Sequence, residues 1–104
     1  MRTILGHSFD QELPRELDFD LSPDGCVLLC MHPPGKKGPE KIVVPADKLL
    51  SMVRSGSAGR VAGHSPRGDS KSLAIRLDPR GLCIIIGRWW GVFQADDVTR
   101  GLNG

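Results

Sequence analysis

Tyrosine is absent from this chain of 104 residues, and its aromatic side chains are limited to three Phe and two Trp. No apolar run approaches the roughly 20 residues that span a bilayer. The phosphate-binding patterns GxxxxGKS and GxGxxG are missing as well. The first residues lack the long apolar stretch of a secretory signal. We therefore expect a cytoplasmic protein with no membrane segment and no standard nucleotide-binding loop.

Cysteine is scarce, with Cys26, Cys30 and Cys83 in the whole sequence. An odd, low number does not indicate a disulfide framework, and each thiol lies in an apolar run where it behaves as a small hydrophobe. In a strand, Cys26, Cys30 and His32 would share one face, which is compatible with part of a metal site. Because a CxxC pair and a fourth ligand are missing, core packing is favoured and we expect neither metal nor cofactor.

Two stretches of the chain share residues in the same order. Gly6-His7-Ser8 recurs as Gly63-His64-Ser65. Other matches along the two stretches pair Leu17, Leu21, Pro23, Gly25, Val43, Ala46 and Asp47 with Leu73, Leu77, Pro79, Gly81, Val92, Ala95 and Asp96. This order predicts a duplication, so that one domain, 1–104, consists of two repeats at about 1–56 and 57–104.

Each half alternates apolar and polar residues before a turn and then changes to helical spacing. Residues 16–21 alternate with period two, which is typical of a half-buried strand, and Pro23-Asp24-Gly25 is a turn sequence. Helical spacing of apolar residues predicts helices near 46–55 and 95–102. The expected fold class is α+β: an antiparallel sheet built from two tandem strand-strand-strand(-strand)-helix repeats related by pseudo-twofold symmetry.

The strands that follow the two turns, at 26–31 and 82–86, are apolar on both faces. Such strands are normally covered on both sides. The predicted helices cover one face, and sheet curvature or a second subunit must close the other. We therefore expect a homo-oligomer.

The layout resembles the single-stranded nucleic-acid binders of the Pur-alpha, Whirly and transcriptional positive cofactor 4 group. The resemblance is carried by the strand 17–21 and its turn at Gly25, the loop at 34–38, and the strand 42–44 that leads into a helix. The unit in that group is four strands and a helix, and two units form one domain. The resemblance implies single-stranded DNA or RNA as a partner.

Positive charge is concentrated in the second half, where residues 52–104 hold eight Lys or Arg and four Asp or Glu. Arginine suits bidentate phosphate contacts, and a basic surface is what backbone binding of nucleic acid requires. A tryptophan beside it can stack on bases. The candidate nucleic-acid-binding residues are Lys36, Lys37, Arg76, Arg80, Arg88, Trp89 and Trp90.

A second interpretation uses the same residues differently. Trp89 and Trp90 can anchor an interface with a protein partner or a second copy, since aromatic and Arg residues are enriched at protein interfaces too. The chain would then be a protein-interaction, regulatory or scaffold protein. Neither interpretation is enzymatic, because the adjacent His and Ser of the two Gly-His-Ser motifs would point apart in a strand and no third catalytic member follows them.

Overall fold

The computed structural model describes residues 2–10, 13–32 and 38–104. Within these ranges the chain forms strands and helices in the order β1 (Arg2–His7), β2 (Pro14–Leu21), β3 (Cys26–His32), β4 (Glu40–Pro45), α1 (Ala46–Ser55), β5 (Gly59–His64), β6 (Ser70–Asp78), β7 (Gly81–Ile86), β8 (Trp89–Phe93) and α2 (Ala95–Asn103). The predicted helices near 46–55 and 95–102 are confirmed. Neither is long and apolar enough to cross a membrane.

The strands form one closed antiparallel barrel in which each strand pairs with the next and β8 returns to β1. The expected α+β fold class, a sheet made of two tandem strand–helix repeats, was therefore wrong. Period-two alternation identifies a strand and its inward face, but it carries no information on where a sheet edge finds its partner. Closure depends on the pairs His7 with Val92 and Val43 with His64, which no local pattern reveals.

The barrel closes at two narrow strand junctions, β1 with β8 and β4 with β5, which we call seams. A glycine lies in each of them. Gly6 lies against the carbonyl group of Val92, and Gly63 lies against that of Val43. A glycine lets two backbones approach where a side chain would prevent it. The recurring Gly-His-Ser sequence thus has a structural explanation: glycine makes the crossing, and each histidine ends its strand.

The barrel interior holds the hydrophobic core. Its largest fully buried side chains come from strands on all sides and from α1: Leu17, Phe19, Val27, Leu29, Met31, Ile42, Leu49, Leu73, Ile75, Ile84, Ile86 and Phe93. The two helices contact each other and pack against this core. The acidic residue Asp47 lies in the first turn of α1, where its negative charge interacts favourably with the helix dipole. Gly56 ends that helix with a φ of 66°.

Barrel closure covers the inner faces of β3 and β7, the two strands that are apolar on both sides. The inward side chains of β3 and β7 face the core, while outward Cys83 is buried and outward Leu28 and Ile85 are half-buried. A second subunit is therefore not needed to cover the inner faces. The homo-oligomer stays a prediction.

Candidate functional site

A row of outward side chains crosses four strands of the barrel. The strand register pairs Arg60 with Ala74, Ala74 with Ile85, and Ile85 with Trp90. Arg76 lies on the same outer side, two residues along β6 from Ala74. We call this outer surface of β5–β8 the Arg–Trp face. It carries cationic side chains on β5 and β6 and an aromatic side chain on β8.

The cationic part of the face surrounds a shallow depression of about 550 Å³. Both Arg60 and Arg76 are exposed, and neither has a carboxylate partner within the described ranges. Nη1 of Arg60 donates a 3.3 Å hydrogen bond to the Ser72 hydroxyl. The remaining lining is small or apolar: Ala58, Gly59, Ala74, Ile75, Ile85 and Gly87. The depression is thus positively charged at Arg60 and Arg76, and uncharged side chains form the rest of its surface.

The aromatic part of the face is a stacked pair. The rings of Phe9 and Trp90 have centroids 5.7 Å apart and planes inclined by 29°. Phe9 is 43% exposed and Trp90 is 38% exposed, so the pair presents open ring surface. Phe9 belongs to the connection after β1, and its carbonyl oxygen accepts a hydrogen bond from Nη1 of Arg80. That bond ties the connection to the turn before β7.

Arg80 was a predicted phosphate ligand, but its guanidinium is already engaged. Its Nε lies 2.9 Å from Oδ1 of Asp78 and its Nη2 lies 3.2 Å from Oδ2, which is a bidentate pair. This pairing raises the pKa of Arg80 and holds the pKa of Asp78 below its ordinary value. With Phe9 as its second partner residue, the Arg80 guanidinium also holds the segment that carries the aromatic pair.

Arg88 is also paired within the chain. Its Nε lies 3.1 Å from Oε1 of Glu40, and Nζ of Lys71 lies 2.9 Å from the other carboxylate oxygen. The hydrogen bond from Lys71 is the largest cause of the lowered pKa of Glu40, and the bond from Arg88 adds to it. Glu40 therefore links β4, β6 and the turn before β8.

The side chain of Trp89 also has partners within the chain. Its indole N–H donates a 2.9 Å hydrogen bond to the carbonyl oxygen of Gly38. The guanidinium carbons of Arg15 and Arg88 lie 5.9 Å and 5.8 Å from its ring centroid, within cation–π range. Arg15 is only 4% exposed, and its Nε donates a 2.8 Å bond to the carbonyl oxygen of Trp90.

Of the predicted residues, the structure therefore places Arg76 and Trp90 on one face and gives Arg80, Arg88 and Trp89 intramolecular partners. Lys36 and Lys37 lie outside the described residues. Arg60, which is one of the basic residues of the second half, and Phe9 were not among the predicted site residues. The alternation of exposed Arg60 and buried Val61 in β5 is a usable signal for the first, whereas nothing local indicates that Phe9 reaches Trp90.

A second cluster lies on the outer face of β2 and β3. His32 Nε2 is 2.8 Å from Asp18 Oδ2 and 3.3 Å from Cys30 Sγ. The sequence placed Cys30 and His32 on one face, together with Cys26. In the barrel Cys26 pairs with Pro45 at the far end of β3, and the third member is Asp18, which the register sets opposite Cys30.

No family model, curated protein or solved structure matches this chain.

Proposed function

We propose that this protein is a small, non-enzymatic binding module that contacts single-stranded DNA or RNA through the Arg–Trp face. The observation that carries the proposal is the register that aligns Arg60, Ala74, Ile85 and Trp90 across four adjacent strands. Adjacent strands lie about 4.8 Å apart, so three steps separate the arginine from the indole by roughly 14 Å. A segment of a few nucleotides spans that distance.

Each part of the face has a separate role in this proposal. The guanidinium groups of Arg60 and Arg76 bind phosphate oxygens, since neither is neutralised by a carboxylate of the described chain. Trp90, braced by Phe9, offers a ring on which one base stacks. Ala74 and the half-buried Ile85 lie between them, and neither carries a charge that would repel the sugar–phosphate backbone.

Single strands fit this face better than a duplex. A base must leave its own stack before it can lie on an indole ring, and single-stranded segments offer such bases freely. Stacking and phosphate contacts are tolerant of base identity. We therefore expect weak sequence preference. We place the protein in the cytoplasm, where its three free cysteines would stay reduced.

A protein partner or a second copy is the other candidate occupant. The observation in its favour is apolar exposure, because Leu13 is 44% exposed and follows Phe9 in the same connection. Trp90 would then be the anchor of that interface, whereas Trp89 has its N–H bonded to Gly38. Apolar interfaces depend little on salt, while phosphate contacts weaken steeply as salt rises.

The test is a fluorescence-anisotropy titration of a labelled single-stranded oligonucleotide at low and moderate salt. We expect Trp90→Ala to weaken binding by about tenfold, in line with the loss of one stacked base. Arg60→Ala and Arg76→Ala should each weaken binding several-fold. Arg54→Ala, an exposed arginine of α1, and Leu5→Ala, an exposed leucine of β1, are the matched controls.

Two results would overturn the proposal. One is the lack of any binding at low salt. The other is an equal loss in Arg54→Ala and Arg76→Ala, which would mean that charge alone attracts the oligonucleotide. Salt-insensitive self-association that disappears in Trp90→Ala, measured by light scattering, would instead assign the face to a protein interface.

A further inference from the structure

Three different ligand-type atoms converge on the outer face of β2 and β3. The carboxylate of Asp18, the thiol of Cys30 and the imidazole of His32 place their ligand atoms within 4.8 Å of one another. Register brings them together, because Asp18 lies opposite Cys30, while Cys30 and His32 are two residues apart on one face. The cluster is separate from the Arg–Trp face, which lies on β5–β8.

The contacts do not form a nucleophilic triad. In a triad, one imidazole nitrogen faces the nucleophile and the other faces the carboxylate. Here Cys30 Sγ and Asp18 Oδ2 both approach the same nitrogen, Nε2 of His32, at 3.3 Å and 2.8 Å. A carboxylate, a thiol and an imidazole whose ligand atoms lie this close together are instead a set that can hold a metal ion.

We infer that Asp18, Cys30 and His32 bind one divalent transition-metal ion of the zinc type. Zinc–ligand bonds are about 2.0–2.3 Å long, so tetrahedral ligands lie roughly 3.3–3.6 Å apart. The nitrogen-to-sulfur separation is already 3.3 Å and the nitrogen-to-oxygen separation is 2.8 Å. To admit the ion, the nitrogen and oxygen must move slightly apart, and the sulfur and oxygen, which lie within 4.8 Å of each other, must come to a similar spacing.

A neighbour in β1 orients the carboxylate. The Thr3 hydroxyl donates a 2.6 Å hydrogen bond to Oδ1 of Asp18, which leaves Oδ2 directed at His32. Hydrogen bonds of this kind fix ligand orientation in metal sites and strengthen metal binding. Thr3 thus acts as a positioning residue for the site.

The charges around the cluster are compatible with a divalent cation. A carboxylate and a thiolate as ligands together balance the two positive charges of the ion. Lys41 and Asp20 line the same cleft and carry charges of opposite sign, so together they add no net charge to it. This cleft has a volume of about 250 Å³, which is room for a water molecule as the fourth ligand. A thiolate with an imidazole and a carboxylate favours zinc or cobalt over magnesium or calcium. Binding releases the thiol proton.

The test uses the full chain, stripped of metal by a chelator and titrated with Co²⁺. We expect saturation at one equivalent, visible ligand-field bands of a tetrahedral ion, and near-ultraviolet absorption from thiolate-to-cobalt charge transfer. Zn²⁺ should then displace the cobalt. Zn²⁺ should also raise the melting temperature, because a ligand that binds only the folded state stabilises it.

Variants assign the ligands. Cys30→Ser, His32→Ala and the near-isosteric Asp18→Asn should each lower zinc affinity by at least about 100-fold in chelator competition, more than outer hydrogen-bond partners do. Cys26→Ser, on the same strand, and His64→Ala, at the β5 terminus, are the matched controls and should bind as the wild type does. Far-ultraviolet circular dichroism of each variant checks that the barrel is intact.

The wild-type spectrum makes the test decisive even if a variant fails to fold. Wild-type protein without thiolate-to-cobalt charge transfer would overturn the inference. So would charge transfer that persists in Cys30→Ser, or that is lost equally in Cys26→Ser. The oligonucleotide titration is independent of this result, because the two sites share no residue.

Discussion

Gly6 of β1 crosses so close to Val92 of β8 that a Cβ atom on the glycine would overlap the valine carbonyl oxygen. The same Cβ would lie 2.6 Å from Cδ1 of Phe93 in the core. The only residue pair in the β1–β8 ladder of the described chain, His7 with Val92, is next to this crossing. Barrel closure at this seam therefore depends on the lack of a side chain.

We predict that Gly6→Ala lowers the free energy of unfolding by about 2 kcal/mol or more, because either the backbone of β8 or the Phe93 ring must move. Gly63→Ala should have a similar effect, since its Cβ would meet the Val43 carbonyl and lie 2.8 Å from Cγ1 of Val44. Urea denaturation followed by circular dichroism measures both.

Gly38→Ala is the control for these variants, because nothing lies within 4 Å of a Cβ at that position. Its stability should stay within about 0.5 kcal/mol of the wild type. If Gly6→Ala behaves like the control, the seam is looser than the structure indicates.

Gly101 provides a case in which helix propensity and packing oppose each other. It lies inside α2, where alanine is intrinsically favoured by about 1 kcal/mol. A Cβ there would be 2.7 Å from two carbons of the Phe19 ring. We predict that Gly101→Ala is net destabilising by up to about 2 kcal/mol, since overpacking a core typically costs about 1–3 kcal/mol and the propensity gain offsets about 1 kcal/mol of it.

A double-mutant cycle with Phe19→Leu isolates the cause of the Gly101→Ala effect. The double variant should be more stable than the sum of the single effects predicts, by about 1 kcal/mol, because the smaller side chain makes room for the methyl group. Additive effects would contradict a direct clash between Phe19 and residue 101.

The ion pairs of Glu40 predict a pH dependence of stability. Lys71 and Arg88 lower the pKa of the folded-state carboxyl. The stabilisation is therefore fully present above the unfolded pKa of about 4.3, and it is lost as pH falls through the lower folded value. Glu40→Gln should cost about 1 kcal/mol near neutral pH, and the difference from wild type should shrink below about pH 4.

Thermal denaturation of Glu40→Gln and wild type across this pH range is the measurement. Glu16→Gln removes an exposed carboxylate that has no ion pair within the described segments. It should run parallel to the wild type at every pH. A constant gap between Glu40→Gln and wild type down to low pH would mean that shape, not charge, accounts for the loss.

The proposed phosphate contacts predict a change in salt dependence as well as in affinity. The slope of log affinity against log salt should be less steep by about 0.7 in Arg76→Ala and in Arg60→Ala, because each variant loses one phosphate contact with the single strand. Trp90→Ala should lower affinity with an unchanged slope, because stacking releases no counterions. An Arg76→Ala slope equal to that of wild type would remove that residue from the phosphate contacts.

Local patterns in the sequence determined the strands and helices themselves. Apolar spacing predicted α1 from Ala46 and α2 from Ala95 because one face of each helix must be buried. Alternation along 16–21 identified the inward face of β2 because successive side chains point to opposite faces. These features depend on residues that are close together in the chain, so the sequence alone is enough to predict them.

Tertiary structure alone decided how the sheet closes and which side chains meet. The seams pair His7 with Val92 and Val43 with His64. The register across β2 and β3 adds Asp18 to Cys30 and His32. Ion pairs with Asp78 and Glu40 give Arg80 and Arg88 partners within the chain. Each of these contacts joins residues on different strands, and pairing between strands depends on the packing of the whole core rather than on local spacing.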